Sequence, residues 1–179
     1  MPALTEALLS MAGDQGVEAI SVAELCRVAG VHRTTFYGHF ESVDAFAVEA
    51  LTGLVDEMAT VDVAEEDSIE AIMSSYFAAL TEMLGLLRDR RAVYRGLFEG
   101  PVAPAFREAL RTTMEDRIGL ALVAFHARRI PVPVDDALAV KFLAGGMAAA
   151  LEQWVRGEGT DLEAGSQEIF DLFPGWWPG

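Results

Sequence analysis

Five side chains within seven residues carry the recognisable chemistry of this sequence: Arg33, Thr34, Thr35, Tyr37 and His39, in the run R-T-T-F-Y-G-H-F. A guanidinium, two methyl-bearing hydroxyls, a phenol and an imidazole suit base edges and phosphates rather than the making of bonds. Arg33 can present its fork to a guanine edge, and the threonine methyls can meet the methyl of thymine. No catalytic constellation competes with this cluster. The three histidines are His32, His39 and His126, and the sequence holds no H-x-x-x-H, C-x-x-C, phosphate-cradling glycine loop or nucleophile elbow. Cys26 with His32 and His39 would make a poor metal site, because the cysteine occupies an apolar position and should point into a core. No catalytic group, metal or cofactor is expected, and an enzyme has no specific residues behind it.

Those side chains need a scaffold, and residues 21 to 40 describe one. Ser21 can cap a helix, with Glu24 three residues on to complete a capping box. Leu25, Val28 and Ala29 recur at helical spacing, and Gly30 supplies the positive-φ residue that stops the helix. Val31 re-enters the core. A second helix then places Phe36 and Phe40 on its inner face and the five polar side chains on the other. The pattern is a helix-turn-helix whose second helix reads DNA, and Ser21 joins the five as a candidate contact.

The run V-A-E-L-C-R-V-A-G-V-H-R-T-T-F-Y-G-H-F-E-S resembles the DNA-binding module of TetR/AcrR-type transcriptional regulators, most distinctively in its G-V-x-x-x-T-F-Y-x-H-F core. The resemblance is close over residues 4 to 51; beyond them it rests on length and an all-helical layout. It implies that Tyr37 meets the DNA backbone. It also implies a second domain with a ligand cavity lined by adaptable side chains, for which Met73, Tyr76, Phe77, Tyr94, Phe98, Met114 and Phe125 are the candidates. Each of these, taken singly, also reads as ordinary core. The implied protein is a repressor that a small apolar or amphipathic effector releases from its operator. Two positions depart from the family pattern: Val43 stands where a basic residue is usual, and Gly38 where a basic or bulky one is frequent. The family's common basic arm before the first helix is also missing.

Charge points to a second reading. The 179 residues carry a formal charge of −15, and within residues 1 to 50 only Arg27 and Arg33 face seven acids. Affinity for nucleic acid rests largely on phosphate neutralisation. The alternative is therefore a helical small-molecule-binding homodimer of the same fold with weak or lost DNA binding.

The remaining pattern is helical, and with 52% apolar residues a packed all-α protein is expected. A helix from Ala3 to Gly13 carries Leu4, Leu8, Met11 and Ala12, and Gly13, Asp14 and Gly16 break it. A helix capped by Ser42 runs to about Met58 and should link residues 1–45, the helix-turn-helix domain, to residues 46–179, the ligand-binding and dimerisation domain. An acidic linker, V-D-V-A-E-E-D, precedes a helix capped by Ser68 with Ile72, Met73, Leu80, Leu84 and Leu87 in phase. The basic cluster R-D-R-R at 88–91 reads as a solvated helix end or a partner for acids. A short helix holds Val93, Tyr94, Leu97 and Phe98. Pro104 opens a long one that stops before I-P-V-P-V. Asp135 or Asp136 caps a helix apolar on two faces, one for its own domain and one for a second copy of the chain. With a last helix from Leu162 to Phe173, it makes segments 136–156 and 161–173 the expected homodimer interface. M-P-A-L-T-E-A-L-L lacks a positive leader, no span for a membrane appears, and a single cysteine suits a reducing cytoplasm.

Overall fold

Short polar side chains set the starts of most long helices in the computed structural model, which describes residues 2–61, 64 and 67–178. Ser21, Ser42, Ser68, Asp135 and Asp161 each accept a hydrogen bond from the backbone N–H three residues on, satisfying a donor that the first turn leaves unpaired. The described residues form α1 (Pro2–Gln15), α2 (Val22–Ala29), α3 (Arg33–Tyr37), α4 (Val43–Ala59), α5 (Ile69–Asp89), α6 (Arg91–Glu99), α7 (Ala103–Ala127), α8 (Asp136–Arg156) and α9 (Leu162–Phe170). They include no strand, and no helix long and apolar enough to cross a membrane.

Helix α1 lies across α2 and the Val17–Ala19 3-10 turn. It runs two residues past the expected break. A glycine inside a helix costs only about 1 kcal/mol, and buried Leu4, Ala7, Leu8 and Ala12 hold the helix through Gly13. The chain turns at Gly16, whose φ of 78° needs glycine. Gly30 ends α2 in the left-handed conformation at φ 67°. Leu25 and Cys26 of α2 are buried, but Val28, expected in its apolar stripe, is 46% exposed. An eight-residue helix covered on one side buries only the residues facing its neighbours.

Helix α4 joins the two ends of the molecule. Phe46 packs against Phe36 and Phe40 at its start, while its later turns contact α5 and α7. Tyr94 of α6 donates its hydroxyl to the carbonyl of Leu51 at 3.2 Å, and Arg117 of α7 donates to Asp56 at 2.7 Å. One core runs from Leu4 to Trp177. The α7–α8 pair is its most extensive contact, and α5 packs on α9.

Of the acidic linker, residues 62, 63, 65 and 66 lie outside the described residues. Arg128 holds the carbonyls of Ala64 and Asp67 beside them. In the R-D-R-R cluster, Arg88 pairs with Asp89, while Arg91 donates to the carbonyl of Gly159 and covers the Trp154 ring at 5.9 Å. The cluster therefore fastens the α5–α6 corner to the α8–α9 loop. Helix α9 ends at Phe170, not at the expected Phe173. The chain then turns, and residues 174–178 fold back so that Trp177 is buried against Phe125 and Phe173.

Candidate functional site

The short helix α3 is held by what it buries. Phe36 meets Phe40, Phe46 and Tyr37 with ring centroids 5.6, 5.9 and 5.8 Å apart. The Phe40 N–H returns to the Phe36 carbonyl at 2.9 Å, so Phe40 reaches the core although it lies beyond the helix. With those two rings inward, Arg33, Thr34, Thr35, Tyr37 and His39 are all exposed, and Tyr37 is 58% open to solvent. Arg33 has no hydrogen bond or ion pair with any described residue. Ser21 is exposed too, but its Oγ already accepts from the Glu24 N–H at 3.2 Å. The surface around α3 also shows Arg27 and His32, which the spacing argument had not singled out.

Val43 lies in the first turn of α4 and is buried. The position where a related chain would carry a cation therefore belongs to the core here. Gly38 is exposed with an ordinary helical φ of −70°. A Cβ there would touch the carbonyls of Thr34 and Thr35 at 3.4 Å, which is ordinary contact.

Among the cavities of the second part of the molecule, two lie side by side. The smaller, about 60 Å³, is lined by Tyr76, Met83, Met114, Arg117 and Met147 among others. The larger, about 490 Å³, lies between α5 and α9 and includes Glu70, Met73, Phe77 and Asp171. Four of the seven side chains anticipated for a ligand cavity therefore line one or the other: Tyr76 and Met114 the smaller, Met73 and Phe77 the larger. Tyr94, Phe98 and Phe125 line neither. Tyr94 is wholly buried against α4, Phe98 stacks edge-on with Phe106 at 4.9 Å, and Phe125 packs on Trp177 at 4.8 Å.

Arg117 is the cationic group in the smaller cavity's wall. Partial burial raises the Tyr76 phenol above its ordinary value, opposed by the charges of Arg117 and Arg128. Sequence reasoning missed Arg117 and Trp177. Arg117 had a signal, since it stands between Met114 and Ile118 in the apolar stripe of α7. Trp177 had none, because its burial depends on a turn after α9 that no periodicity announces.

Comparison with known proteins adds the following. Residues 4–50 match the profile of the bacterial regulatory proteins of the tetR family. No curated protein sequence matches the chain. Among 31 matching chains of solved structures, the dihydroxyacetone kinase operon activator DhaS aligns with a TM-score of 0.69 and 15% identity, over 96% of this chain and 92% of its own. A TetR transcriptional regulator from Rhodococcus sp. RHA1 gives 0.59 and 20%, over 96% and 94% of the two chains. The transcriptional regulator FadR from Bacillus subtilis, solved in complex with stearoyl-CoA, gives 0.59 and 13%, over 96% of each. At these identities the likeness is one of fold.

Proposed function

We propose that the chain, whose residues 4–50 match the tetR family of bacterial regulatory proteins, is a member of that family: a ligand-responsive, DNA-binding transcriptional repressor that works in the cytoplasm as a homodimer. In this reading residues 1–45 carry the DNA contacts, and residues 46–179 hold the effector and the dimer interface. The observation that carries it is the outer face of α3: Arg33 without a partner among the described residues, flanked by exposed Thr34, Thr35, Tyr37 and His39, all held by buried Phe36 and Phe40. Arg33 and the threonines take the base edges, Tyr37 and His39 the backbone, and Ser21 keeps α2 in register while lying near the phosphates.

A twofold dimer must bring two α3 helices about 34–36 Å apart to enter successive major grooves. Leu138 and Phe142 on the outer face of α8, with Leu172 after α9, are 65%, 74% and 74% exposed. They support pairing through 136–156 and 161–173, since monomers rarely leave such side chains clustered in water. A small apolar or amphipathic effector between the long helices would favour one tilt of α4 and DNA another. Such coupling is typically about 1–3 kcal/mol and acts reciprocally.

The test is titration of the DNA upstream of the gene, with and without effector, followed by fluorescence anisotropy. The repressor reading expects saturable binding that Arg33→Ala weakens and an effector reverses. Equal affinity with and without effector removes the switch. The second reading, an effector-binding homodimer with little DNA affinity, is favoured by the two cations against seven acids in residues 1–50. It expects effector binding but no saturable DNA binding even at low salt.

A further inference from the structure

Trp177 is 8% exposed, yet its indole N–H meets no acceptor among the described residues. Trp154, by contrast, donates its indole N–H to the carbonyl of Leu84 at 3.1 Å. A buried donor without a partner has given up its bonds to water and gained none in return. The Trp177 side chain is held by ring packing on Phe125 and Phe173, both at 4.8 Å. It also stands where the two cavities meet. Phe170, Phe173 and Trp177 line both the 60 Å³ space beside Arg117 and the 490 Å³ space between α5 and α9.

We propose that Trp177 is a movable partition, and that the effector site is the single chamber formed when its indole swings out, taking an elongated apolar molecule with one anionic end. This deepens the regulatory reading and rests on it. The 60 Å³ space alone has room for about two waters. Joined to its 490 Å³ neighbour and enlarged by the volume of the indole, it enters the ~300–1,000 Å³ range of ligand sites. Its walls include four methionine and five aromatic side chains, which adapt to an irregular apolar guest.

The anionic end belongs at Arg117. Nε and one terminal nitrogen of its guanidinium engage Asp56 at 2.7 and 2.5 Å, and the other terminal nitrogen has no partner among the described residues. The Tyr76 hydroxyl, within the field of the same guanidinium, also has no partner among them. Glu70 and Asp171 border the outer space and repel an anion there, so the charged end rests inside and the apolar end towards the opening. Competition with Asp56 for Arg117 would loosen α7 from α4, the helix that carries the reading module.

The probes are dodecanoate and dodecan-1-ol, titrated against the full chain by calorimetry. 19F NMR of the 5-fluorotryptophan-labelled protein, with the Trp177 resonance assigned through Trp177→Phe, reads the partition directly. Dodecanoate should shift the Trp177 resonance to a solvent-exposed position and leave that of Trp154 in place. Trp177→Ala should bind dodecanoate about tenfold more tightly, because a closed state no longer competes. Arg117→Gln should lose about tenfold for dodecanoate and little for dodecan-1-ol. The proposal is overturned by no saturable binding of dodecanoate, by an unmoved Trp177 resonance at saturation, by unchanged affinity in a folded Trp177→Ala, or by equal losses for both probes in Arg117→Gln. Should circular dichroism show Trp177→Ala unfolded, the resonance in the otherwise unaltered protein decides. None of these measurements involves DNA, so a chain that takes dodecanoate but binds no operator would sink the regulatory reading and leave the chamber standing.

Discussion

In the proposed reading, Arg33 decides whether α3 reads a sequence or merely touches a duplex. Its guanidinium is the only cationic group on that helix. Replacing it with alanine should weaken operator binding by about 1–3 kcal/mol and relax the preference at one base pair of each half-site. Anisotropy on a set of single-base operator variants checks both effects. Gly38 offers the opposite experiment. The position is exposed, its φ is helical, and a side chain fits without displacement. Gly38→Lys should strengthen binding to every sequence alike and steepen the plot of log K against log salt by about 0.9 per protomer, the signature of one more phosphate neutralised. Val43 cannot serve that purpose, because the site where a cation would reach DNA has been given to the core.

At the scale of elements, α4 matters most, because its first turns hold α3 and its last turns lie against α5 and α7. Tyr94 fastens α6 to its middle through the Leu51 carbonyl. Burial pushes the Tyr94 phenol well above its ordinary value of 10.0, opposed weakly by Arg90. A group whose folded pKa is raised contributes stability that is complete below its unfolded pKa and lost as the pH rises through it. The melting temperature should therefore fall steeply above pH 10, with Tyr76 adding a smaller loss of the same sign. Tyr94→Phe should cost about 1 kcal/mol at neutral pH, the worth of one hydrogen bond. It should also flatten the alkaline limb. Thermal melts of both proteins between pH 7 and 11 test the pair of outcomes, and an alkaline limb unchanged by the substitution would assign the loss to another group.

For the whole molecule the question is how a particle of net charge −15 grips DNA. In the proposed reading, few phosphate contacts per protomer would make two simultaneous half-sites essential, since each protomer alone would bind weakly. In the proposed dimer, the outer face of α8 is where that doubling would be read. Phe142→Glu places a carboxylate at its most exposed aromatic position. Sedimentation should show the pair separating into single chains, with secondary structure unchanged. Operator affinity should fall by more than Arg33→Ala alone removes. A variant that stays paired would move the interface to another surface. In the proposed regulator, the acidic remainder of the protein would also disfavour nonspecific attachment to nucleic acid and leave recognition to the few side chains around α3.

Local rules explain why so many helices could be read from the order of residues. Ser21, Ser42 and Ser68 mark starts because a hydroxyl three residues before a backbone N–H satisfies it whatever the rest of the chain does. Phe106, Leu110, Met114, Ile118, Leu122 and Phe125 fall into phase because the helix repeat is itself local, and all six are buried. The five polar residues around α3 were legible for the same reason, as Phe36 and Phe40 had to turn inward together. Periodicity tells which side of a helix avoids water, but not whether that side meets a neighbour or a gap. Tyr76 and Met114 border a cavity while Tyr94 and Phe98, equally in phase, fill solid core. Val28 stayed in water because no second layer covers that side of α2, and α9 stopped early because the chain turns back over the cavities. The burial of Trp177 and the meeting of Arg117 with Asp56 join residues tens of positions apart. Such contacts arise only when separate helices pack, and no short window of sequence contains both partners.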